Sequence, residues 1–181
     1  MRTPTAEQHP RTMNEGADMS MSIRNVTTAD AAAICAIYNP FVLETCVSFE
    51  SEALLPATMA ARIEEVSAQY PWLVAEDERG VAGYAYANRW RARDAYARTV
   101  ETTIYLRGDC TGAGIGRALY RALLDELRRR GFHIALGCIA LPNPQSENFH
   151  ERCGFEKVAH FAQVGRKFDQ WIDVGFWQIR L

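Results

Sequence analysis

A glycine-rich run at positions 112–116, with the sequence Gly-Ala-Gly-Ile-Gly, lies between a β-like stretch and an amphipathic stretch with helical spacing. Glycines allow the backbone to approach an anion closely, and the first turn of a helix offers unpaired N–H groups and a partial positive charge. The run therefore predicts a pyrophosphate site, with a plain glycine-rich turn as the alternative. No Gly-Lys-Ser/Thr follows it, and residues 141–143 are Leu-Pro-Asn where a dinucleotide site needs an acidic residue.

Two side chains could move protons near neutral pH. Glu101 lies in an otherwise apolar β-like run at 99–106, where partial burial would raise its pKa and make it a useful general base. A carboxylate in a strand can equally be solvent-exposed or salt-bridged. His150 lies in a short polar segment at 145–152 that is predicted to be helical, and it could act in proton transfer or serve only as a helix cap or backbone partner.

The loop at 89–98 is rich in arginine and aromatic residues, with the sequence Arg-Trp-Arg-Ala-Arg-Asp-Ala-Tyr-Ala-Arg. It is too polar for a strand and too aromatic for a simple linker, so it is a candidate substrate surface. An arginine in this loop could bind a carboxylate, and an aromatic side chain could form a wall beside it. For Arg89 and Arg98 a solvated position is the simpler interpretation.

The elements that must position these residues are predicted from hydrophobic spacing and from turn signals. The order is β-α-α-β-β-β-α-β-α-β-β, which indicates an α/β fold with a mostly antiparallel first half and a parallel crossover around Gly114. Asn39-Pro40 is predicted to end the first helix, and Pro56 to begin the second. Strands are predicted at 23–26, 72–76, 81–87, 99–106, 134–141, 155–164 and 171–180, and the long helix from Gly114 to about Arg130.

Composition limits the class of protein. The chain has 181 residues and a formal net charge of -2, which indicates one domain and argues against nucleic acid or an anionic membrane as a partner. Residues 1–20 are predicted to be a disordered leader and residues 21–181 the folded domain. Without a membrane span or secretory signal, the protein is expected to be cytoplasmic. The five scattered cysteines are expected to be free thiols, with no metal site.

Two segments together carry a family resemblance. The sequence Gly-Ile-Gly-Arg-Ala-Leu at 114–119 is followed, after a buried strand, by Asn143-x-x-Ser146-x-x-Phe-His-Glu-Arg-x-Gly-Phe ending at residue 155. This pair resembles both cofactor motifs of the GCN5-related N-acetyltransferases. The segments at 70–76, 99–105, 141–143 and 171–177 are similar to the phosphinothricin and methionine sulfoximine acetyltransferase branch. The resemblance implies a single-domain acetyltransferase fold, with a mixed, mostly antiparallel sheet, a central splayed strand pair and flanking helices.

The resemblance also implies acetyl-CoA as cosubstrate and a role for each residue set. Glu101 would deprotonate the acceptor amine, and His150 would either protonate the departing thiolate or orient the amine. Attack on the thioester would be direct, without a cysteine nucleophile. The acceptor would contact Arg91, Arg93, Tyr96, Thr103, Ile104 and Tyr105. The cofactor would contact Leu106, Arg107, Gly112, Ala113, Gly114, Ile115, Gly116, Arg117, Asn143 and Ser146.

The function expected from these residues is N-acetylation of a small amino acid or analogue, such as phosphinothricin, methionine sulfoximine or methionine sulfone. Two alternatives remain at this point. One is an acetyltransferase for another amine, such as an aminoglycoside or a protein N-terminus, although the arginine-bearing loop favours a carboxylate. The other is a catalytically silent acyl-CoA sensor, against which the presence of Glu101 and His150 argues. A homodimer is possible.

Overall fold

The computed structural model describes residues 21–112 and 114–181. The predicted leader at 1–20 and the predicted cofactor contact Ala113 lie outside the described residues. The order of strands and α-helices is the one the sequence predicts. The elements are β1 Ser22–Asn25, α1 Ala31–Glu44, α2 Pro56–Ser67, β2 Trp72–Asp77, β3 Gly80–Arg89, β4 Thr99–Leu106, α3 Ile115–Arg129, β5 Ile134–Leu141, α4 Pro144–Arg152, β6 Glu156–Lys167 and β7 Gln170–Arg180.

The strands form one seven-stranded sheet in the order β1-β2-β3-β4-β5-β7-β6. β4 and β5 run parallel, as the predicted crossover through α3 requires, and the other neighbours are antiparallel. The β4–β5 ladder ends at the pair Thr102↔Gly137, although both strands continue. Beyond that pair, residues 103–106 and 138–141 separate, and we call this opening the fork. The predicted splayed strand pair is therefore confirmed.

The two faces of the sheet carry separate cores. On one face α3 packs through Leu119, Leu123 and Leu127, which are fully buried. On the other face α1 and α2 pack against an aromatic layer that includes Tyr38 and Tyr84. Because side chains alternate along a strand, odd-numbered residues of β4 face α1 and even-numbered residues face α3. No helix in the described residues is long and apolar enough to cross a membrane.

The predicted end of the first helix at Asn39-Pro40 is wrong, because α1 continues through Pro40 to Glu44. Proline inside a helix removes one hydrogen bond and costs about 3 kcal/mol. The residues beyond it offset that cost: Val42 is fully buried, and the Phe41 ring packs 4.9 Å from that of Tyr105 on β4. The Asn39 side chain also exchanges two hydrogen bonds with the backbone of Leu54. Tertiary packing thus outweighs the local signal.

Candidate active site

A cavity of about 490 Å³ opens at the fork. It passes between the two faces of the sheet, because its wall includes Glu101 from the α1 face of β4 and His150 from α4 on the opposite face. Its charged lining residues are two carboxylates, Glu50 and Glu101. Seven of the residues predicted to form the site line this one cavity, namely Glu101, Thr103, Ile104, Tyr105, Asn143, Ser146 and His150.

A buried hydrogen-bond chain marks the point where the fork begins. The Thr102 hydroxyl donates to the carbonyl oxygen of Leu136 at 3.0 Å, so the Tyr120 hydroxyl must donate to Thr102 Oγ1, at 2.7 Å. Both side chains are buried, and unmade bonds there would cost about 1–3 kcal/mol each. The chain joins α3, β4 and β5 at the last paired position. It therefore fixes where the two strands can begin to separate.

Glu101 is placed as a proton acceptor. Its strand neighbours are Asn88 on β3 and Leu136 on β5, so its backbone is held from both sides while its side chain faces the cavity. Among the described residues its carboxylate has no hydrogen-bond or ion-pair partner. Burial raises its pKa, since the charged form loses solvation that no partner replaces. The predicted alternative of a salt-bridged carboxylate does not occur in the described part of the chain.

His150 is buried in an aromatic surround formed by Tyr120, Phe149 and Phe155, with ring centroids 5.3–5.5 Å away. Its Nδ1 lies 2.8 Å from the carbonyl oxygen of Ser146, which can only accept, so Nδ1 carries the proton and Nε2 has a lone pair. Burial lowers the pKa of this imidazole, which keeps the ring neutral at neutral pH. The Nε2 atom therefore acts as a hydrogen-bond acceptor.

Gly137 explains how the imidazole reaches the strand. A Cβ atom at this position would lie 2.6 Å from His150 Nε2, so a side chain here would collide with the ring. Sequence reasoning did not single out Gly137. The available signal was an isolated glycine inside an apolar strand, which often indicates that another group closely approaches the backbone.

The glycine loop combines two different uses of glycine. Gly112 and Gly114 have φ values of 85° and 82°, which favour glycine, and the space beside each Cα is open. Gly116 has another reason: a Cβ there would lie 3.0 Å from Leu106 at the end of β4, so α3 packs closely on that strand. The N-terminal N–H groups of α3, at Ile115, Gly116 and Arg117, precede the first intrahelical bond, which Ala118 donates to Gly114, and are free for a ligand. The arrangement suits a diphosphate.

Residues on either side of the loop complete this half of the site. The guanidinium of Arg107, a predicted cofactor contact, forms ion pairs with Asp77 and with Asp109, the latter at 2.8 Å. These contacts order the turn before the glycine loop. Asn143 caps α4 by accepting a hydrogen bond from the Ser146 N–H at 3.1 Å. Its side-chain NH₂ has no partner among the described residues, and Asn143 lines the cavity. That amide can therefore donate to a ligand in the fork.

The predicted acceptor contacts on the loop at 89–98 do not line this cavity. Arg93 is exposed at the start of a 3-10 turn, Asp94–Tyr96. Arg91 stacks on Trp90, with its guanidinium carbon 4.5 Å from the ring centroid, and Trp90 packs edge-on against Tyr96. Arg89 donates to the carbonyl of Arg91 and so shapes the loop. The described chain thus holds these residues together at the N-terminal end of β4, outside the cavity wall.

Sequence reasoning missed most of the side of the cavity formed by α1 and the segment after it, where only Phe49 was considered as a lining residue, with core packing as the alternative. Tyr38, residues 47–50 and Tyr86 line it, and nothing in their spacing relates them to Glu101. It also missed Cys138, which lies in the wall two positions beyond the strand neighbour of Glu101. Cys138 is exposed to the cavity, but desolvation by the cavity walls and the nearby charge of Glu101 raise the pKa of its thiol to about 12. This thiol stays protonated and is a poor nucleophile.

Fold and site together define a class of protein. A glycine loop at a helix N-terminus, a fork between two parallel strands and a carboxylate with no partner in the described part of the chain suit acyl transfer from a coenzyme A thioester to an amine. Among the described residues no three histidine, cysteine or acidic side chains gather as metal ligands. A model of the Acetyltransferase (GNAT) domain matches residues 23–175. The chain belongs to the GNAT family and is an N-acetyltransferase that uses acetyl-CoA.

Close relatives agree with this assignment. The chain is 40% identical to a phosphinothricin N-acetyltransferase from Streptomyces viridochromogenes, over 87% of this chain and 86% of the relative. It is 38% identical to an L-methionine sulfoximine/L-methionine sulfone acetyltransferase from Pseudomonas aeruginosa, over 90% and 96%. A GNAT superfamily phosphinothricin acetyltransferase from Sinorhizobium meliloti, solved with acetyl-CoA, superposes with a TM-score of 0.85 at 36% identity, covering 90% and 89%. The expected acetyltransferase branch is confirmed.

Proposed function

We propose that the enzyme acetylates the α-amine of a small amino acid or analogue of the phosphinothricin, methionine sulfoximine or methionine sulfone type. The observation that carries this proposal is the partnerless carboxylate of Glu101 in a cavity that reaches the fork. The names of the relatives support the choice of acceptor class. Bound acetyl-CoA supplies an activated acetyl group as a thioester.

Glu101 is the general base of the reaction. Its raised pKa lies closer to that of an ammonium group, which improves proton transfer, directly or through one water. The neutral amine nitrogen then bonds to the acetyl carbonyl carbon while the C–S bond breaks. The nitrogen loses its remaining extra proton to solvent and becomes the amide, and the departing thiolate takes up a proton from solvent. Cys138 is not an acetyl carrier, because its thiol stays protonated at neutral pH.

We assign His150 a role in positioning the cavity wall and not in protonating the departing thiolate. A proton donor for the thiolate would need an N–H aimed into the fork, whereas the Nδ1–H of His150 bonds to Ser146 within α4. The ring ties α4 to β5 across Gly137 and leaves the Nε2 lone pair as an acceptor. It thereby fixes one side of the cavity on which Asn143 and Ser146 also lie.

The cofactor contacts are assigned to the loop, the fork and the start of α4. The backbone amides of the loop hold the diphosphate, and the open backbone of β4 beyond Thr102 holds the arm. The Asn143 side-chain NH₂ donates to the arm from the other side. The proposed contact residues are Leu106, Arg107, Gly112, Ala113, Gly114, Ile115, Gly116, Arg117, Asn143 and Ser146.

The acceptor contacts are assigned to β4 and to the loop before it. Thr103, Ile104 and Tyr105 line the cavity beside Glu101. Arg93 provides a cation for the acceptor carboxylate, with Arg91 and Tyr96 forming a support beside it. What favours this loop is its position between β3 and β4, because it joins Asn88, the β3 strand neighbour of Glu101, to the start of the strand that carries Glu101.

We further propose a cytoplasmic homodimer. All five cysteines lie in the described residues and are free thiols, as is usual in a reducing compartment. Large apolar side chains on β6 and β7 and the turn between them are exposed, a feature typical of an interface. They are Phe161, Val164, Phe168 and Trp171. Sedimentation equilibrium of the wild type and of Trp171→Glu tests this, and a monomeric wild type contradicts it.

The test of function is coenzyme A thiol release measured with a panel of amines. The panel contains methionine sulfone, methionine sulfoximine, phosphinothricin, the carboxyl-free amine of methionine sulfone, a polyamine and an aminoglycoside. Acetylation of the first three, and weak reaction of the carboxyl-free amine, supports the proposal. Preference for the aminoglycoside or polyamine overturns the acceptor class. Thermal stabilisation by acetyl-CoA without turnover of any amine would instead indicate a sensor.

A further inference from the structure

Lys167, the last residue of β6, is a buried cation that the proposed chemistry does not use. Its exposure is only 8%. Its Nζ donates hydrogen bonds to the carbonyl oxygens of Val42 and Ser48, each at 2.6 Å. In the described part of the chain these hydrogen-bond partners are main-chain groups and not carboxylates. Because burying an ammonium group is costly unless it is well bonded, the contact has a structural consequence.

The two carbonyl groups belong to segments that meet at the cavity. Val42 lies in the last turn of α1, where carbonyl groups lack helical partners and attract a cation. Ser48 belongs to residues 47–50, which line the cavity that Glu101 faces and which we call the acceptor wall. The Lys167 ammonium group therefore ties the acceptor wall to the end of α1.

Ser48 connects the acceptor wall internally and to α1. The Ser48 hydroxyl lies 2.7 Å from the Tyr38 hydroxyl, which comes from α1. The Glu50 N–H donates to the same Ser48 oxygen at 3.2 Å. A displacement of the Ser48 backbone would therefore carry Glu50 with it and change the shape of the cavity.

A second residue of β6, Gly165, contacts the same acceptor wall. The Phe49 ring lies directly over Gly165, where an added Cβ would be 2.3 Å from a ring carbon. Gly165 and Lys167 are two residues apart and both buried, so they lie on the same face of β6. This face therefore contacts the acceptor wall at two points, Phe49 and Ser48. The strand reaches this position after an irregularity in its pairing with β7, between Phe161 and Gly165.

We propose that Lys167 is a positioning residue for the acceptor: it sets the distance between the acceptor wall and Glu101 and thereby determines which amines fit. The proposal rests on the proposed function, since it concerns the acceptor of that same site. The loop at 89–98 supplies charge for the acceptor, whereas Lys167 acts through the shape of the cavity.

The main experiment compares Lys167→Met, Lys167→Arg and Arg166→Met. Methionine keeps the length of the side chain and removes the donors, so the acceptor KM should rise ~10-fold while the KM for acetyl-CoA stays within ~2-fold. Arginine retains donors and should recover part of the loss. Arg166 is exposed beside Lys167 and pairs with Asp169, so its replacement controls for loss of a nearby charge and should leave both constants unchanged.

Gly165→Ala is the second variant, and it decides the question if Lys167→Met does not fold. It keeps the ammonium group but pushes on Phe49, and it should also shift the acceptor KM selectively. An unchanged acceptor KM in the folded variants, or equal rises for both substrates, overturns the proposal. All constants are measured on whichever panel amine the wild type acetylates. If that amine is not an amino acid, the proposed function fails while the assignment of Lys167 is still tested.

Discussion

The cofactor half of the cleft and its acceptor half are lined by different kinds of atoms. In the proposed cofactor half, the groups assigned to binding are backbone groups of the glycine loop and of the fork, at 103–112 and 114–117, with support from the start of α4. In the acceptor half, side chains of β4 meet the acceptor wall, which a lysine 119 residues away holds in place. One half is a local motif, and the other depends on the whole fold.

This difference has a physical reason. Backbone amides tolerate changes of side chain, so a loop that needs only glycine conformations and a helix start can be built from a short segment. Selectivity for an amine needs shape and charge, which must come from several elements packed together. We therefore expect substitutions in the cofactor half to act on cofactor affinity and those in the acceptor half to act on turnover and acceptor affinity.

The largest effect is expected for Glu101→Gln, since loss of a general base costs ~100-fold to 10,000-fold in turnover. The carboxamide cannot take the ammonium proton, but it is similar in size to the carboxylate, so acetyl-CoA affinity should stay the same. Steady-state kinetics of thiol release measures turnover, and thermal shift with acetyl-CoA measures cofactor affinity. In the wild type, kcat/KM should fall as the pH drops through the raised pKa of Glu101. Wild-type turnover in the variant would make Glu101 a structural residue.

Gly114→Val should weaken acetyl-CoA binding ~10-fold or more, because valine opposes the left-handed backbone and fills the open space at the loop. Gly131, just beyond the other end of α3, has a φ of 76° and provides the control. Gly131→Val should lose similar stability but keep the stabilisation by acetyl-CoA. Equal loss of that stabilisation in both variants would mean that the glycine loop acts only through folding.

Arg93→Ala should raise the KM for methionine sulfone ~10-fold to 150-fold, since one charge-assisted contact is worth ~1.5–3 kcal/mol. The KM for acetyl-CoA and the rate with the carboxyl-free amine should not change, because neither uses the proposed contact. The same kinetic assay with the two amines side by side measures this. If selectivity between acid and amine is unchanged in the variant, the loop at 89–98 does not bind the acceptor carboxylate.

His150→Phe should reduce turnover by ~10-fold at most, less than Glu101→Gln, because an orienting residue is lost rather than a proton acceptor. Phenylalanine fits the aromatic surround of Tyr120 and Phe155. The pH dependence of kcat separates the roles: loss of an acid would remove the alkaline limb of the profile, whereas loss of orientation lowers the whole profile. A loss equal to that of Glu101→Gln would restore the role in proton transfer.

The smallest effect concerns stability. The folded-state pKa of Glu101 is raised, so the folded protein binds this proton more tightly than the unfolded chain does. Stability from this group is fully present below the unfolded pKa and is lost as pH rises through the folded pKa. Glu101→Gln should therefore raise the unfolding temperature at neutral pH, and the gain should disappear in acid. A lower unfolding temperature at neutral pH would reveal a partner for the carboxylate.

The sequence predicted the order of the strands and α-helices, because that order depends on hydrophobic spacing and turn signals within short segments. The residues assigned to the cofactor half stay a prediction. Where it was wrong, at Pro40, the deciding energy was burial of Val42 and Phe41 against distant residues. The acceptor wall was not predictable, since its position is set by contacts with β6. The sequence shows Gly137 as an isolated glycine in a strand, but the reason for this glycine becomes clear only when the position of His150 is known.

The fork places two sheet edges in the middle of the molecule instead of at its rim. Residues 103–106 and 138–141 each keep one strand neighbour and leave the other side open. An open edge is a template for β-augmentation, and a ligand arm that carries amide groups along its length can act as the missing strand. Hydrogen exchange of the amides that face into the fork should then slow as the arm binds, while the β6–β7 hairpin stays unaffected. On this expectation, the gap in the sheet is filled only while the arm is bound.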